Sequence, residues 1–588
     1  MDLAVSNEDS QILLKDKNVL QETVLDKYRT SGQITQTALK FVTDLINDVY
    51  HYKKVQTPLS ISELCLMADS FIVNRLEQYY KHKVNERGIA LPTMIDVDAV
   101  ASGWCPEVDD TENIKKWNNN SDETSPFASS ITGYLRHGDV VKISLGCHID
   151  GYTSQVTHTM VIYPTDETNT KPTGPLLGSK ADAVAASHIA SESVTALLAC
   201  SLTPEKLPQS LRNANTNSVT GHQIRSVVDT IAKAYNCAVV PGSRVRRIRR
   251  FLAGQNEGIV AEKDYKGVVW TEAHQEANLL ANTEVQDIVV ANNQNKLVAS
   301  SAIPSDDFSV DVGEVYLIDL KFCPLTDCQK KGLITLETVD SYTGKSHKKN
   351  QLIARSGAYV RDYAQSYTLK LKTARQLLTK IDKNGVYPLK LSHLSTDFPL
   401  TEFTAEESDA VKKDLRSFRL GMNEITNNFL CVETPIQVAK WVPWDHILNS
   451  TNKNGALSYD ASAALTLPGH EIPLPKLGIS GIKLKSLMNS TNEVMTLPVA
   501  RECSTVILCG SDVSVSGKPE LFRLTGGSKT AQPSWVHSAR ELNPADPVVQ
   551  GIFNLAELSK DKRFGLTMRE TQPMKKNINL ASDTTMEM

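Results

Sequence analysis

The sequence predicts an α+β fold, because helical and strand-like hydrophobic patterns occupy separate stretches of the chain. Residues 34–50 carry apolar side chains along one helical face, and Ala181–Cys200 and Gln223–Tyr235 show the same spacing. Residues 88–101 and 138–163 instead alternate apolar and polar side chains, as half-buried strands do. With 588 residues, 41% of them hydrophobic, the chain can bury a large core.

Local signals define the individual elements in chain order. Ser60 and Glu63 are spaced as a capping box, so a helix is predicted to begin there and to run to about Tyr80. Asp150-Gly151 is typical of a tight turn and divides the 138–163 stretch into a hairpin. Further strands are predicted at Glu314–Leu320, Gly332–Thr338 and Thr505–Leu508.

The composition excludes several classes of protein. A charged fraction of 22% and a formal net charge of −4 are ordinary for a globular chain. The ten cysteines form no C-x-x-C pair and no signal-like segment opens the sequence, so we expect free thiols in a reducing compartment. Uncharged apolar runs stay shorter than a membrane span of roughly 18 residues, which predicts no membrane insertion.

The most informative motif is the strand Lys142-Ile143-Ser144-Leu145-Gly146-Cys147-His148. It resembles the metal-binding strand Lys-Ile-Asp-Phe-Gly-x-His of methionine aminopeptidases. Glu86–Thr93 resembles that family's Gly-Ile-Ala-Phe-Pro-Thr strand, and Glu314–Asp319 resembles its Glu-Val-Tyr-Ala-Ile-Glu strand. The resemblance to the type 2 enzymes extends over most of residues 15–565 and implies their pita-bread fold.

That resemblance also implies a domain organisation. Residues 1–568 would form one pita-bread domain, with the type 2-like helical insertion near 373–420. Polar or proline-containing stretches predict three further insertions, near 107–126 (a solvated loop), 272–308 (partly mobile) and 435–495 (an excursion from the core). Residues 569–588 are polar and are expected to be a disordered tail.

The family's five metal-ligand positions fall here on residues that cannot replace those ligands. By local alignment the positions are Ser144, Gln155, Arg244, Asp319 and Cys503, and the catalytic histidine position falls at Gly103 or Trp104. The last ligand position has the least certain register, because Glu502 is adjacent. A guanidinium ~4 Å from a dication, at an effective dielectric of ~20, is repelled by roughly 8 kcal/mol. We therefore expect no metal, no other cofactor and no peptidase activity. A pair between Arg244 and Asp319 is predicted in the emptied site, with a solvent-facing Arg244 as the alternative.

The resemblance carries a functional expectation as well. Pro241–Gly258 and Gly344–Lys349 resemble the superfamily branch that lacks peptidase activity. That branch contains the proliferation-associated ErbB3-binding protein and the yeast export factors of the pre-60S ribosomal particle. It implies binding of that particle near the exit tunnel, together with other biogenesis factors, and contact with phenylalanine-glycine repeats of nuclear pore proteins. It also implies shuttling between nucleus and cytoplasm.

The emptied pocket, around Ser144 and Trp104, is a candidate apolar groove for such repeats. Two other functions remain open from the sequence. One is a metal-dependent aminopeptidase, and the other is an RNA-binding translational regulator that acts on mature ribosomes.

Clustered basic residues supply a candidate RNA surface. Five arginines lie within the seven residues from Arg244 to Arg250, and arginine binds phosphate through strong bidentate contacts. A solvated face or a nuclear import signal is the alternative interpretation. The predicted RNA- or ribosome-binding residues are Arg244, Arg246, Arg247, Arg249, Arg250, Lys345, Lys348, Lys349, Lys560, Lys562 and Arg563. No aromatic-rich platform accompanies them, so the sequence does not predict base-specific recognition.

Overall fold

A computed structural model describes residues 11–574 apart from several segments. The segments outside the description are 13–14, 55–57, 81–83, 85, 111–113, 115–124, 167, 169–170, 213–217, 252–264, 282–305, 340–351, 452–483, 486, 489–492, 515–516, 529 and 532–534. The predicted α+β class is confirmed, since long helices accompany antiparallel sheets.

The described residues contain the following elements. The helices are α1 (Glu22–Ile46), α2 (Ile61–Leu76), α3 (Ala128–Thr132), α4 (Ser179–Cys200), α5 (Gly221–Ala234), α6 (Glu272–Ala281), α7 (Lys372–Asp382), α8 (Ala405–Asn427), α9 (Trp444–Thr451) and α10 (Pro547–Lys560). The first nine strands are β1 (Arg87–Val97), β2 (Val100–Ser102), β3 (Val140–Ile149), β4 (Tyr152–Val161), β5 (Cys237–Val239), β6 (Arg244–Ile248), β7 (Gly267–Val269), β8 (Val315–Pro324) and β9 (Gly332–Thr338). The others are β10 (Ala358–Arg361), β11 (Leu389–Lys390), β12 (Cys431–Glu433), β13 (Gln437–Pro443), β14 (Met495–Thr496), β15 (Ala500–Cys509), β16 (Glu520–Arg523) and β17 (Met568–Glu570).

The main sheet has the strand order β1-β3-β4-β15-β8-β6-β7. At its periphery β5 pairs with β8, β16 with β15, and β17 with β16. All of these pairs are antiparallel except β16 with β17. Side chains alternate between the two faces of a strand, so each strand offers one set of residues to the helices and the other set to the opposite face.

Helices cover one face of this sheet. Helix α4 packs on β8 and β15, while α5 and α10 pack on α4. Their apolar side chains bury the even-numbered residues of β8, Tyr316, Ile318, Leu320 and Phe322. Helix α1 lies on β3 and β4, and α2 lies on β1. The odd-numbered residues of β8 and β15 therefore face away from α4.

Two smaller sheets complete the structure. Strands β14, β13 and β2 form one with β9, and it packs through Ile334 and Trp441 against Cys323 of β8. Strands β11, β10 and β12 form the other, and helices α7 and α8 share a hydrophobic cluster with it. Helices α7 and α8 lie in the stretch near 373–420 for which a helical insertion is predicted, and α8 continues to Asn427.

The insertion meets the rest of the chain through buried charges. Arg419 of α8 donates to Asp109 and Asp110, both at 2.8 Å. Lys390 Nζ lies 3.9 Å from a Glu107 oxygen, and His393 Nε2 lies 2.9 Å from Asp69 Oδ2. We call this set the docking cluster; its members are Asp69, Glu107, Asp109, Asp110, Lys390, His393 and Arg419.

Most predicted elements are confirmed, including the hairpin with its turn at Asp150-Gly151, and the capping box. Ser60 N donates to Glu63 Oε2 at 2.8 Å, and Glu63 N donates to Ser60 Oγ at 3.3 Å. The helix predicted at 34–50 begins earlier, at Glu22. The helix predicted to reach Tyr80 ends at Leu76.

The predictions for two of the insertions and for the tail are partly wrong. Glu107 and Asp110 are buried by the docking cluster, so the start of the 107–126 stretch is not a solvated loop. Residues 437–443 of the 435–495 stretch form β13, which pairs with three other strands. The expected tail begins inside β17, whose Arg569 and Glu570 pair with β16. Residues 575–588, most of the 272–308 stretch, and the remainder of the 107–126 stretch up to 124 lie largely outside the described residues.

Helix α4 is the one helix of the described segments that is long and apolar enough to cross a membrane by length and composition. Its apolar window is 78% buried inside the protein, against the main sheet and α5, which is the position of a core helix. The ten cysteines are all free thiols, as expected, and all except the half-buried Cys328 are buried.

Candidate functional site

Four of the five predicted ligand positions lie in one row across five strands of the main sheet. Ser144 of β3 pairs with Thr157 of β4, which pairs with Cys503 of β15. Cys503 pairs with Asp319 of β8, and Asp319 pairs with Arg244 of β6. Residues directly opposite in neighbouring strands share a face, so these side chains all project from the face away from α4. Gln155, the fifth position, lies on the same face two residues before Thr157.

The register distinguishes Cys503 from its neighbour Glu502. Glu502 projects from the opposite face, where its carboxylate lies 3.1 Å from His158 Nδ1 and accepts from Thr159 N at 3.0 Å. Glu502 therefore cannot supply the last ligand position. Cys503 occupies it, and burial raises the pKa of its thiol above the ordinary value.

We call this row the ligand row, and Asp319 is its one carboxylate. The carboxylate is bound by Arg501, which was not predicted from the sequence. Arg501 Nε and Nη2 donate to the two oxygens of Asp319 at 2.7 Å and 2.9 Å. Arg244 Nε lies 4.0 Å from Asp319 Oδ2, so the predicted pair exists as a longer second contact. Burial alone would raise the pKa of Asp319, but Arg501, Lys321 and Arg244 outweigh it and hold that pKa well below its usual range.

A second row of charges lies beside the first. Arg501 pairs with Lys321 of β8, and Thr159 Oγ1 donates to Arg501 O at 2.6 Å. Thr159 in turn pairs with Lys142 of β3, and Lys142 pairs with Asp96 of β1. We call the combined group the sheet-centre cluster; its members are Asp96, Lys142, Arg244, Asp319, Lys321 and Arg501.

Burial shifts several groups in this cluster. It lowers the pKa of Lys142 and of Lys321 to about 8, and it raises the pKa of Asp96 to about 6. Lys142 Nζ donates to Asp98 O at 2.7 Å. Trp104 N donates to Asp96 Oδ1 at 2.7 Å, which places one of the two candidate catalytic-histidine positions at the edge of the cluster.

The donor set does not fit a two-metal centre. Two dications need several carboxylates, whereas the ligand row offers Asp319 alone, already held by a bidentate guanidinium. Ser144 and Thr157 engage each other through their hydroxyls at 2.9 Å. Across the described residues no group of three or more His, Cys, Asp or Glu side chains could hold a metal ion. The neighbouring cations would further repel a dication.

The cluster also lacks the apolar groove that was expected here for pore-protein repeats. Charged and hydroxyl side chains line both rows, and Trp104 is only 1% exposed. Ser144 is fully buried. The expectation that the emptied pocket is apolar is therefore wrong, because Arg244 and Asp319 stand at two of the ligand positions and Lys321 and Arg501 lie beside them.

The five clustered arginines form part of the sheet rather than an exposed basic face. Arg246 and Arg247 are 5% and 8% exposed, and Arg244, Arg249 and Arg250 are half-buried. Besides Asp319 near Arg244, carboxylates from distant parts of the chain pair with two more of them. Arg247 Nη1 donates to Glu314 at 3.1 Å, and Arg250 Nη2 donates to Asp150. Contact of this segment with RNA stays a prediction.

The C-terminal basic residues have a different setting. Lys560, Lys562 and Arg563 are all exposed at the end of α10 and in the turn that follows. Phe564 beside them is 79% exposed, and Phe553 of the same helix is 41% exposed. The sequence predicts no aromatic platform, and the exposure of these two rings depends on how α10 packs rather than on a local sequence pattern. Lys345, Lys348 and Lys349 lie outside the described residues.

Comparison with known proteins identifies the relatives of this chain. No family model matches it. It is 69% identical to a Saccharomyces cerevisiae protein named probable metalloprotease ARX1, over 98% of this chain and 97% of that protein. An Eremothecium gossypii protein of the same name is 56% identical, over 100% and 99%. An Arabidopsis thaliana protein named ERBB-3 binding protein 1 is 24% identical, over 70% and 73%.

Solved structures show weaker likeness. A thermophilic Arx1 is 15% identical with a TM-score of 0.49, over 91% of this chain and 98% of that one. A methionine aminopeptidase from Thermotoga maritima is 10% identical with a TM-score of 0.26, over 52% and 82%. The family rests on the sequence relatives, which include the expected relatives named ErbB-3 binding protein. This chain belongs to the family of proteins named probable metalloprotease ARX1.

Proposed function

We propose that this protein is a non-catalytic biogenesis and nuclear export factor that binds the pre-60S ribosomal particle near the polypeptide exit tunnel. The observation that carries the non-catalytic part is the bidentate Arg501–Asp319 pair, at 2.7 Å and 2.9 Å. Arg501 thereby binds both oxygens of Asp319, the one carboxylate of the ligand row. A site without free carboxylates favours a binding protein over a metal-dependent hydrolase, even though the relatives are named probable metalloproteases.

The turn after α10 supports contact with ribosomal RNA. Lys560, Lys562 and Arg563 present three cations to solvent, and Phe564 projects beside them with 79% exposure. Phosphate contacts from such cations release counterions, and an exposed aromatic ring can stack on an unpaired base. This combination fits a single-stranded or looped RNA segment better than a regular duplex.

Export and localisation follow from the family resemblance rather than from a particular contact. The proposal includes binding of phenylalanine-glycine repeats of pore proteins, association with other biogenesis factors, shuttling between nucleus and cytoplasm, and release in the cytoplasm. Because the sheet-centre cluster is charged, the repeats would bind elsewhere on the protein surface.

The ribosome contact can be tested with a charge-reversed variant. We expect Lys560→Glu/Lys562→Glu/Arg563→Glu to lose at least tenfold in affinity for purified nuclear pre-60S particles. The slope of log K against log salt should fall by about 2–3, since each lost phosphate contact removes ~0.7–0.9. A matched control is Lys383→Glu/Lys413→Glu/Arg416→Glu, which reverses three exposed charges on or next to α7 and α8. Equal losses in both variants would point to net charge rather than to the α10 turn.

The two alternative functions give different outcomes. An aminopeptidase would release methionine from Met-peptides after incubation with divalent metals, and the proposal expects no turnover. A translational regulator on mature ribosomes would sediment with polysomes, whereas the proposal expects co-sedimentation with nuclear precursor particles. Identification of the RNA and proteins that co-purify with the tagged full-length protein separates these cases directly.

A further inference from the structure

The sheet-centre cluster carries more positive than negative charge. Its four cations are Lys142, Arg244, Lys321 and Arg501, and its two carboxylates are Asp96 and Asp319. Burying an uncompensated charge is costly, and proteins normally pair such groups or neutralise them. A surplus of cations inside a sheet therefore needs an explanation that the fold itself does not provide.

The surplus can be assigned to one side chain, Lys321. Arg501 is bonded to Asp319, and Lys142 Nζ donates to Asp98 O. Lys321 is only 5% exposed, and within the described residues its Nζ makes no hydrogen bond and no ion pair within 4.0 Å, while the Nζ atom itself keeps some contact with solvent. An ammonium without an acceptor from the protein has free donors for a ligand.

The turn that contains Gly242 lies beside the Lys321 ammonium. Gly242, in the turn between β5 and β6, is exposed, and a Cβ built on it would lie 3.9 Å from Lys321 Nζ. The absence of a side chain at this turn leaves the approach to the ammonium open. Arg244 follows two residues later, and its side chain is 18% exposed at the rim of the cluster.

We propose that this former metal position is an oxyanion site, in which a carboxylate or phosphate group bonds to Lys321 Nζ beneath the Gly242 turn. The nearby guanidiniums of Arg244 and Arg501 favour an anion by charge, as does the second buried lysine, Lys142. Both carboxylate and phosphate oxygens accept charge-assisted hydrogen bonds from an ammonium group. Experiment therefore decides which of the two anions binds. The inference goes beyond the proposed function and does not depend on ribosome binding.

The test measures anion binding by the full-length protein. Isothermal titration at pH 7 and fixed ionic strength would use inorganic phosphate in one arm and acetate or an acetylated tri-glutamate peptide in the other. We expect saturable binding in at least one arm, and the responding arm identifies the source. Lys321→Met should weaken that binding at least tenfold. Lys383→Met, the same change at an exposed site beside α7, should leave it unaltered.

Two results would overturn the inference. One is the absence of saturable binding in both arms, and the other is binding that Lys321→Met leaves unchanged. If Lys321→Met does not fold, Arg244→Gln provides the second variant, and it should weaken binding by a smaller factor. The charge-reversed α10 variant should retain anion binding, so failure of the ribosome proposal would remain distinguishable from failure of this one.

Discussion

The docking cluster and the sheet-centre cluster are both buried and both charged, but they differ in how completely their basic groups are paired. In the docking cluster each basic group meets a carboxylate directly: Arg419 with Asp109 and Asp110, Lys390 with Glu107, and His393 with Asp69. In the sheet-centre cluster Arg501 alone has a bidentate partner, and cations outnumber carboxylates. Direct pairing of every basic group is what docking α7 and α8 on the rest of the chain requires. A surplus suggests a missing ligand.

Two buried lysines show the difference most directly. Lys390 is fully buried, but Glu107 and Asp69 outweigh the effect of burial and raise its pKa above the ordinary value. Lys321 is 5% exposed, and burial there outweighs Asp319 and lowers the pKa to about 8. The same side chain is thus stabilised as a cation in one cluster and destabilised as a cation in the other.

The largest expected effect comes from removing the paired lysine. Lys390→Met would leave Glu107 buried with Ser392 N as its remaining described donor, at 3.1 Å. Breaking a buried pair in this way costs about 3–5 kcal/mol, so we expect the free energy of unfolding in urea to fall by that amount. The double variant Lys390→Met/Glu107→Gln should recover part of the loss. A loss below ~1 kcal/mol would show that the docking cluster does not depend on charge pairing.

A smaller loss is expected at the strongest pair of the sheet-centre cluster. Arg501→Met removes both bonds to Asp319, but Arg244 at 4.0 Å and the nearby Lys321 remain to compensate that carboxylate. We expect a loss of about 1–3 kcal/mol in urea unfolding, below that of Lys390→Met. The pKa of Asp319 should rise toward its ordinary range, which NMR of a carboxyl-labelled sample can follow. A loss larger than that of Lys390→Met would reverse the order of the two clusters.

The sequence could predict the position of the sheet-centre cluster but not its charge pairing. Ser144, Arg244, Asp319 and Cys503 were found by motif alignment, and they meet because the antiparallel register places them in one row. Arg501 and Lys321 were missed, although each lies two residues from a predicted position and so on the same face. Which side chain reaches Asp319 depends on rotamers and cross-strand distances that the sequence does not contain.

The arginine run shows a second limit of sequence reasoning. A cluster of like charges usually marks a solvated face, yet β6 lies between β8 and β7. Glu314 and Asp150, which compensate Arg247 and Arg250, are 67 and 100 residues away along the chain. Long-range pairing of this kind is set by topology.

Raising the pH should affect the two clusters differently. Lys321 and Lys142 have folded pKa values of about 8, below their ordinary value of 10.5. Between these two values the unfolded chain binds more protons than the folded one, so stability contributed by these sites rises with pH. We expect a gain of about 2 kcal/mol per lysine from pH 8 to pH 10, and less if the cluster relaxes.

The matched comparison isolates the contribution of Lys321. Between pH 8 and pH 10, the free energy of unfolding of Lys321→Met should rise by about 2 kcal/mol less than that of the native protein. Lys390 has a raised pKa, so it contributes no gain in this window. The pH profile of the urea midpoint can be compared for the native protein and Lys321→Met. Equal profiles would mean that the folded state does not disfavour the charged form of Lys321.

The smallest expected change in stability at pH 7 is that of Lys321→Met, and it tests the comparison most sharply. Methionine has a similar length and no charge, so it removes a buried ammonium without opening a large cavity. Replacing a buried charge by an apolar group of similar volume is often neutral or stabilising, and we expect the free energy of unfolding to stay constant or to rise by about 1 kcal/mol. Lys390→Met is chemically the same substitution at a similarly buried site. If both variants lose several kcal/mol, Lys321 must have a structural partner, and the surplus of positive charge that distinguishes the sheet-centre cluster would not exist.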